Sequence, residues 1–445
     1  MTSTSFTPDA SRAIPGPDWL AERRSAAAER LADLAWPTTE EEIWRYSRVD
    51  ELDLDRFRPV PVEQLGMPGD EPAPGGGPVA AEAGERAGLV VVRNGRVVHH
   101  SLDDDLVAKG VQVCGLATCE RDEIDGLLGV CSDASPDAFT VLHDAFLAGG
   151  AMVKVPAGVV VDKPIVVLHW SEGDGLASFP HTLVVAGEAA EVTVFDRFGS
   201  ADGQHADAAP VGHLVDAVVE LVLSDGSNVR YVSVQEHGPH TWQIALQRAH
   251  VGRDATLRSS AVALGGYYAR LRSESRLDGD GGESDLTAVY FGDGHQMLDF
   301  RTLQDHHAPN TRSDLLFKGA VEDEARSVYS GLIRIRHGAQ RANAFQTNRN
   351  LVLTEGAEAM SVPNLEIEAD DVRCSHASTV GPIDDDQLYY LATRGIPPTE
   401  AERLIVLGFF DDVFERLPLP SLVAPLRRSV VEKVEHRDAI ARASA

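Results

Sequence analysis

The 445-residue sequence has few cysteines, a deficit of basic residues and no long apolar run. Its 40 Lys and Arg stand against 69 Asp and Glu, giving a formal charge of −29. This balance argues against nucleic acid and anionic membranes as partners, because both require a basic surface. No apolar run approaches the roughly 18–20 residues of a membrane span, and none suits a signal peptide. We therefore expect a cytoplasmic protein.

Signatures of the common catalytic classes are also absent. The sequence has no Walker A loop, nucleophile elbow or Ser-His-Asp signature, and the glycines at 75–77 lack the preceding strand and following helix of a phosphate loop. We therefore expect that this chain binds no nucleotide and catalyses no reaction alone.

Four cysteines are too few for a disulfide framework in so long a chain, so reduced thiols are expected. Cys114, Cys119 and Cys131 form no CxxC pair and are interpreted as small buried hydrophobic residues. Cys374 differs from these three because His376 follows two residues later.

The stretch at residues 370–381, DDVRCSHASTVG, is the strongest candidate for chemistry. Strand alternation predicts Val372, Cys374 and His376 on one face, so the thiol and the imidazole point the same way. They are soft metal or iron–sulfur ligands, but two ligands are too few for a structural zinc site. The alternative is a buried thiol beside a hydrogen-bonded histidine.

Residues 1–135 are predicted to form an N-terminal helical domain with a linker and a small hairpin. Asp18 is expected to cap a helix that Pro37 stops, and Thr39 with Glu42 to form a capping box before Trp44. The stripe of the first helix comprises Leu20, Ala27, Leu31 and Leu34. Residues 59–88 are rich in Pro, Gly and Ala and are predicted to be a linker, and Asn94-Gly95 predicts a type I′ hairpin turn.

Residues 136–382 are predicted to be the β-rich core. Ser135-Pro136 is expected to start one helix that ends at Gly149-Gly150, and short valine- and leucine-rich runs then alternate with Gly or acidic turns. Strands and turns without crossover helices suggest a β-solenoid or an open β-stack. A β-sandwich fits the same pattern.

Residues 383–445 are predicted to form a C-terminal helical domain. The acidic triplet at 384–386 is expected to begin a helix that Gly395 ends, and a Thr399-x-x-Glu402 box to begin the next. A third helix is expected from about Ser421 towards Ala441. The apolar face of the second helix comprises Leu404, Ile405, Phe409 and Val413.

Two other groups of residues could carry chemistry. His306 and His307 are adjacent, and neighbouring strand residues point to opposite faces, so a shared metal ion is disfavoured. The acidic residues at 103–105 are expected to be solvated in a loop. Paired carboxylates of a cytoplasmic β-helix enzyme acting on carbohydrate stay an alternative, although no specific pair is marked.

Three segments, at residues 342–372, 387–396 and 401–410, together with the Cys-x-His between them, closely resemble the SufB/SufD family of iron–sulfur cluster assembly scaffolds. Weaker similarity extends back to about Asp137. The resemblance implies a right-handed parallel β-helix core flanked by N-terminal and C-terminal helical domains.

Within this family, the pattern favours the SufD branch over the SufB branch. SufB-like chains carry a cysteine, thought to hold the nascent cluster, at the position of Asn348 and a glutamate at that of His376. Two ligands, Cys374 and His376, are too few to build a cluster alone.

The resemblance implies a non-catalytic scaffold subunit that pairs with SufB as a heterodimer and docks the SufC ATPase in a SufBCD complex. Cys374 and His376 would contribute to a transient iron–sulfur cluster shared with SufB, and Leu404, Ile405 and Phe409 would contact SufC. The sequence leaves flavin binding undecided. A metal-free adaptor, in which the Cys-x-His only packs, is a further alternative.

Overall fold

A computed structural model describes residues 4–66, 85–129, 137–201 and 212–443. The predicted linker lies largely outside these ranges, as do Cys131 and the Ser135-Pro136 helix start. Within the described ranges, no helix combines the length and apolarity that crossing a membrane demands.

The strands, in chain order, are β1 (Arg58–Pro59), β2 (Gly88–Arg93), β3 (Arg96–Leu102), β4 (Gln112–Gly115), β5 (Ala151–Val155), β6 (Ile165–Ser171), β7 (Leu176–Ser178), β8 (His181–Ala186), β9 (Glu191–Ser200), β10 (His213–Leu223), β11 (Asn228–Glu236), β12 (Thr241–Val251), β13 (Thr256–Ala263), β14 (Tyr268–Leu277), β15 (Glu283–Gly292), β16 (Met297–His306), β17 (Arg312–Val321), β18 (Arg326–Ile335), β19 (Asn343–Val352), β20 (Glu358–Ile367) and β21 (Arg373–Gly381). The α-helices are α1 (Pro8–Arg12), α2 (Asp18–Leu31), α3 (Asp104–Ala108), α4 (Arg121–Ile124), α5 (Ala138–Phe146), α6 (Asp385–Thr393), α7 (Pro398–Phe414) and α8 (Val423–Ala443). Short 3-10 helices are Glu42–Trp44, Val49–Glu51, Leu54–Arg56, Val62–Gln64, Leu116–Thr118 and Pro420–Leu422.

The core is a β-solenoid of about eight turns, in which successive strands alternate between two sheets. Sheet A runs from β4 and β5 through the even-numbered strands to β20, and sheet B runs from the β2–β3 hairpin through β6 and the odd-numbered strands to β21. From β12 onward, parallel register partners lie 26 to 32 residues apart, which is the length of one turn. The predicted mainly β solenoid is confirmed, and the β-sandwich alternative is wrong.

Side-chain alternation divides each strand between the interior and an outer face. On β15, Leu286, Ala288 and Tyr290 join the interior cluster, whereas Val289 and Phe291 join a cluster on the outer face of sheet B. Because both faces of these strands are covered, their burial is nearly continuous, as expected of parallel sheets.

The β2–β3 hairpin is confirmed, with Asn94 at φ 48° and Gly95 at φ 85° in the turn. Two predicted caps near the N-terminus are wrong. Pro17 occupies the N-cap position of α2, and Asp18 is the first helical residue. Thr39 donates its hydroxyl to Asp50 instead of capping, and only a 3-10 turn forms at Glu42–Trp44.

Trp44, in the segment that follows Thr39, is buried against a residue that is distant in the sequence. Its ring lies under the Arg270 guanidinium, 3.9 Å from the ring centre, and is almost completely covered. In α2, Leu20, Ala27 and Leu31 are buried as predicted, whereas Leu34 lies beyond the helix end and is exposed.

Asp137 is the N-cap residue of α5, and its carboxylate accepts a hydrogen bond from the Thr140 amide at 2.9 Å. The acidic start of α6 is confirmed, since the Asp384 side chain accepts from the Asp386 amide at 2.9 Å, and Gly395 follows the helix at φ 80°. The Thr399 capping box is wrong, because α7 starts at Pro398 and leaves Thr399 inside its first turn.

The C-terminal helices fold back onto the outer face of sheet B. Val406, Phe410, Val413 and Phe414 form the buried stripe of α7. They share one apolar cluster with strand residues that include Val232, Val262, Val289 and Leu316. The predicted apolar face of α7 is therefore buried only at Val413, and its other three members lie beside the buried stripe.

Candidate functional site

The solenoid ends in an incomplete turn formed by β20 and β21. Within the described residues, β20 pairs with β18 alone and β21 with β19 alone. Each strand therefore presents one edge with unpaired backbone groups, which is a template for pairing with another chain. Strand β21 is largely exposed and β20 is half-buried along most of its length, in contrast to the buried strands of the preceding turns.

Cys374 and His376 lie on the face of β21 that continues the solenoid interior. The parallel register places Cys374 opposite Ala344 and His376 opposite Gln346, and both β19 residues are buried. Within the described residues no further turn covers this face, so His376 is exposed. The predicted alternation is confirmed, and both side chains lie at the open end of the solenoid.

The two residues differ in their surroundings. Cys374 is half-buried and packs against a small interior cluster that includes Ile333, Ala342 and Ala344. This burial raises the pKa of the Cys374 thiol, so the free chain favours the neutral form. A metal ion would have to displace that proton to gain a thiolate ligand.

The described part of the chain does not by itself contain a metal site. No three His, Cys, Asp or Glu side chains within it gather closely enough to hold an ion. Cys374 and His376 can supply one sulfur and one nitrogen ligand, and any further ligands must come from elsewhere.

A pair of serines that the sequence analysis missed joins the two strands of this end. Ser378 donates its hydroxyl to that of Ser361 at 2.7 Å, and Ser378 lies on the same face of β21 as His376. Ser361 and Ser378 are 17 residues apart, and only the bend between β20 and β21 brings them together.

Below this end, Asn348 belongs to a buried hydrogen-bond network rather than to an exposed site. Its amide donates to the Tyr290 hydroxyl at 3.0 Å and accepts from Asn350 at 2.8 Å, and Tyr290 donates to Asn350 at 2.6 Å. Gly319 makes room for this network, because a Cβ there would meet the Tyr290 ring at 1.8 Å. Asn348 thus has a structural role in this chain.

A second exposed surface lies on the C-terminal helices. Leu404 is 42% exposed, and Ile405 and Phe409 are half-buried. Phe409 is held on its inner side by Lys318, whose ammonium donates to the Phe409 carbonyl at 2.8 Å. Tyr389 and Tyr390 of α6, which the sequence analysis did not select, are 72% and 57% exposed.

The remaining candidates are the two adjacent histidines and the acidic residues at 103–105. His306 is buried and bonds the hydroxyls of Thr311 and Ser313, whereas His307 lies on the outer face beside Asp305, so the two rings point apart as predicted. The acidic residues at 103–105 are exposed as predicted, but the loop prediction is wrong, because Asp103 occupies the N-cap position of α3 and the other two lie in its first turn.

A groove of about 680 Å³ on the outer face of sheet A contains arginine–carboxylate pairs. These pairs are Arg248–Glu274, Arg334–Glu366 and Arg336–Asp305. Burial acts to raise the pKa of Asp305, but hydrogen bonds from Arg336 and His307 outweigh it and lower that pKa. Asp305 thus favours its ionised form and is a poor candidate for the general acid of a glycoside hydrolase.

Comparisons with known proteins agree with this architecture. A family model described as SUF system FeS cluster assembly, SufBD core domain, matches residues 169–409. The chain is 35% identical over 317 residues to an iron–sulfur cluster assembly SufBD family protein of Mycobacterium tuberculosis, covering 69% of this chain and 76% of that protein. It is 30% identical to the iron–sulfur cluster assembly protein SufD of Bacillus subtilis, covering 94% and 95% of the two chains. With SufD of Escherichia coli the identity is 28%, over 87% of each chain.

Proposed function

The chain belongs to the SufBD family of iron–sulfur cluster assembly proteins, and we propose that it is a SufD-type scaffold subunit that pairs with SufB and docks SufC. The similarity to two SufD proteins over most of the chain supports the SufD branch. Asn348 also supports the SufD branch. SufB-like chains carry a cysteine at this position, whereas in this chain the asparagine belongs to a buried hydrogen-bond network.

The observation that carries this proposal is the open end of the solenoid. Cys374 and His376 project there beside two strand edges that lack a partner among the described residues. Strand addition by a second chain would satisfy these edges and bring the partner's side chains next to the thiol and the imidazole. The iron–sulfur cluster is then a transient cargo, with ligands from this chain and from SufB.

The C-terminal helices are the proposed docking surface for the ATPase subunit. Helix α7 is fixed to sheet B by its buried stripe and by Lys318, which also pairs with Asp412 at 2.6 Å. Its opposite side presents Leu404, and α6, which contacts α7, presents the exposed Tyr389 and Tyr390. A rigidly attached helix with an exposed apolar side suits the transmission of movement from an ATPase to the scaffold.

The proposal assigns no catalysis and no nucleotide to this chain. Nucleotide hydrolysis would belong to SufC, because the sequence offers no phosphate loop. Activity on carbohydrate is not favoured, since the groove carboxylates Asp305, Glu274 and Glu366 are each paired with an arginine.

Anaerobic co-purification tests this proposal. The tagged full chain, produced together with SufB and SufC, should retain both proteins, and the complex should contain iron and acid-labile sulfide after reconstitution. The isolated chain should hydrolyse no ATP. Failure to retain either partner, or ATP turnover by the pure isolated chain, would contradict the proposed role.

A further inference from the structure

Cys114 and Cys119 lie side by side, although the sequence analysis treated them as separate buried residues. Their Sγ atoms are 3.3 Å apart, and both are free thiols. Cys114 is in β4, and Cys119 follows the 3-10 turn Leu116–Thr118. This turn brings Cys119 back beside Cys114. Disulfide formation would require the two sulfurs to approach by only about 1.2 Å.

The surroundings fix both ends of this pair. Cys114 lies opposite Met152 in the antiparallel β4–β5 ladder, and the Cys119 carbonyl accepts a hydrogen bond from the Trp19 indole at 3.1 Å. The pair belongs to the apolar cluster that joins α2 to the first strands of sheet A. It is therefore held at a joint between the N-terminal helices and the solenoid.

The two thiols differ in access and acidity. Cys114 is half-buried, whereas Cys119 is only 4% exposed. The hydrogen bond between them lowers the pKa of Cys114 and raises the pKa of Cys119. The more accessible thiol is thus also the better source of thiolate, which is the nucleophile in disulfide exchange.

We propose that Cys114 and Cys119 are a redox modification site, which forms a reversible disulfide by exchange with a low-molecular-weight disulfide such as oxidised glutathione. This inference rests on the pair itself and is independent of the proposed function.

The exchange proceeds in two balanced steps. The Cys114 thiolate attacks one glutathione sulfur, the glutathione S–S bond breaks, and one glutathione leaves with the electron pair and takes up a proton. Cys119 then loses its proton and attacks Sγ of Cys114 in the mixed disulfide, expelling the second glutathione. The protein dithiol is oxidised by two electrons, and one glutathione disulfide is reduced to two thiols.

Thiol mapping of the folded full chain tests this proposal. The reduced protein is equilibrated with oxidised glutathione, its remaining thiols are alkylated, and its peptides are identified by mass spectrometry. The parent should lose two of its four thiols and yield a peptide with a 114–119 cross-link. Cys119→Ser should accumulate one glutathione on Cys114, whereas Cys114→Ser should leave Cys119 unmodified because it is buried. Cys131→Ser is the matched control and should form the cross-link like the parent.

Several results would overturn the proposal, with circular dichroism confirming that each variant is folded. The first is that all four thiols persist under conditions that oxidise a reference dithiol. The second is a disulfide that joins Cys114 or Cys119 to Cys131 or Cys374. The third is that glutathione modifies Cys119 in the Cys114→Ser variant as fast as it modifies Cys114 in the Cys119→Ser variant.

Discussion

His376 and Gln346 are register partners in the parallel pairing of β21 and β19, so the histidine is the next residue in a row of interior side chains. Gln346 is 1% exposed, and among the described residues its amide atoms find no hydrogen-bond partner. His376 repeats that position one turn later, where it is exposed. In the two preceding turns the same row holds the buried leucines Leu315 and Leu286, so the interior changes from apolar to polar at its open end, where a partner chain can reach it.

The buried network below this end predicts a stability effect at Asn348. Asn348→Ala should lower the free energy of unfolding by about 1–3 kcal/mol, because the Tyr290 hydroxyl and the Asn350 amide each lose a buried partner. Urea denaturation measures this loss. Asn364→Ala is the control, since Asn364 is half-buried and its side chain, among the described residues, bonds only the nearby Val362 carbonyl at 3.3 Å. It should change stability by about 0.5 kcal/mol or less. Equal effects of the two variants would contradict a structural role for Asn348.

His306 predicts a pH dependence of stability. Burial outweighs the nearby Asp305 carboxylate and lowers the pKa of His306 from 6.5 to about 4 in the folded chain. The unfolded chain therefore takes up the proton first, and stability present above about pH 6.5 is lost as the pH falls towards 4. The share of His306 is up to about 3 kcal/mol.

Urea denaturation of the parent and His306→Gln across this range checks the prediction, because glutamine can bond Thr311 and Ser313 without titrating. The parent should lose more stability than the variant between pH 6.5 and 4. Parallel curves would show that His306 is not the group responsible.

The strand edges of the open end predict where charge should block pairing with SufB. Ile367→Lys and Val380→Lys place a lysine on exposed positions of β20 and β21, and lysine on a sheet edge opposes strand addition. Both variants should reduce SufB retention in a pull-down at least tenfold without lowering the melting temperature. Val107→Lys, on the exposed side of α3, is the matched control and should bind like the parent. Undiminished retention by both edge variants would place the interface elsewhere.

The helical surface predicts a separable effect on SufC. Leu404→Asp and Tyr390→Ser alter exposed side chains, so each should weaken SufC binding while changing the free energy of unfolding by about 0.5 kcal/mol or less. Leu34→Asp, at an exposed N-terminal position, is the control. Binding titrations that show parent affinity for both helix variants would count against this surface. Deletion of residues 399–445 is a poor test, because it uncovers the apolar outer face of sheet B.

Patterns that act within a strand or a tight turn were predictable from the sequence. The alternation that aligns Cys374 with His376 was confirmed, as were the Asn94-Gly95 turn and the acidic start of α6, because each depends on neighbouring residues and local backbone geometry. The repeat of strand and turn likewise predicted a solenoid, although only the family resemblance decided against a sandwich.

Features that depend on long-range packing could not be predicted in this way. Thr39 resembles a capping residue, but its hydroxyl bonds Asp50, and the segment that follows forms a 3-10 turn with Trp44 packed against the distant Arg270. The approach of Cys114 to Cys119 depends on a turn after an antiparallel edge strand, and no spacing rule encodes it. Helix α7 has more apolar residues than its buried stripe needs, and the sequence does not show which of them face sheet B.

Cluster content per complex, measured beside thermal stability, is the most direct test of the role assigned to Cys374 and His376. His376→Ala, His376→Asn, His376→Gln and Cys374→Ser are each co-purified with SufB and SufC and reconstituted anaerobically. The amides can keep a structural hydrogen bond but offer no imidazole, and serine replaces a soft thiolate with a hydroxyl that binds iron poorly. We predict complexes of nearly parent stability, within about 1 kcal/mol, that carry little iron and sulfide. Full cluster loading in both His376→Ala and Cys374→Ser would contradict the account.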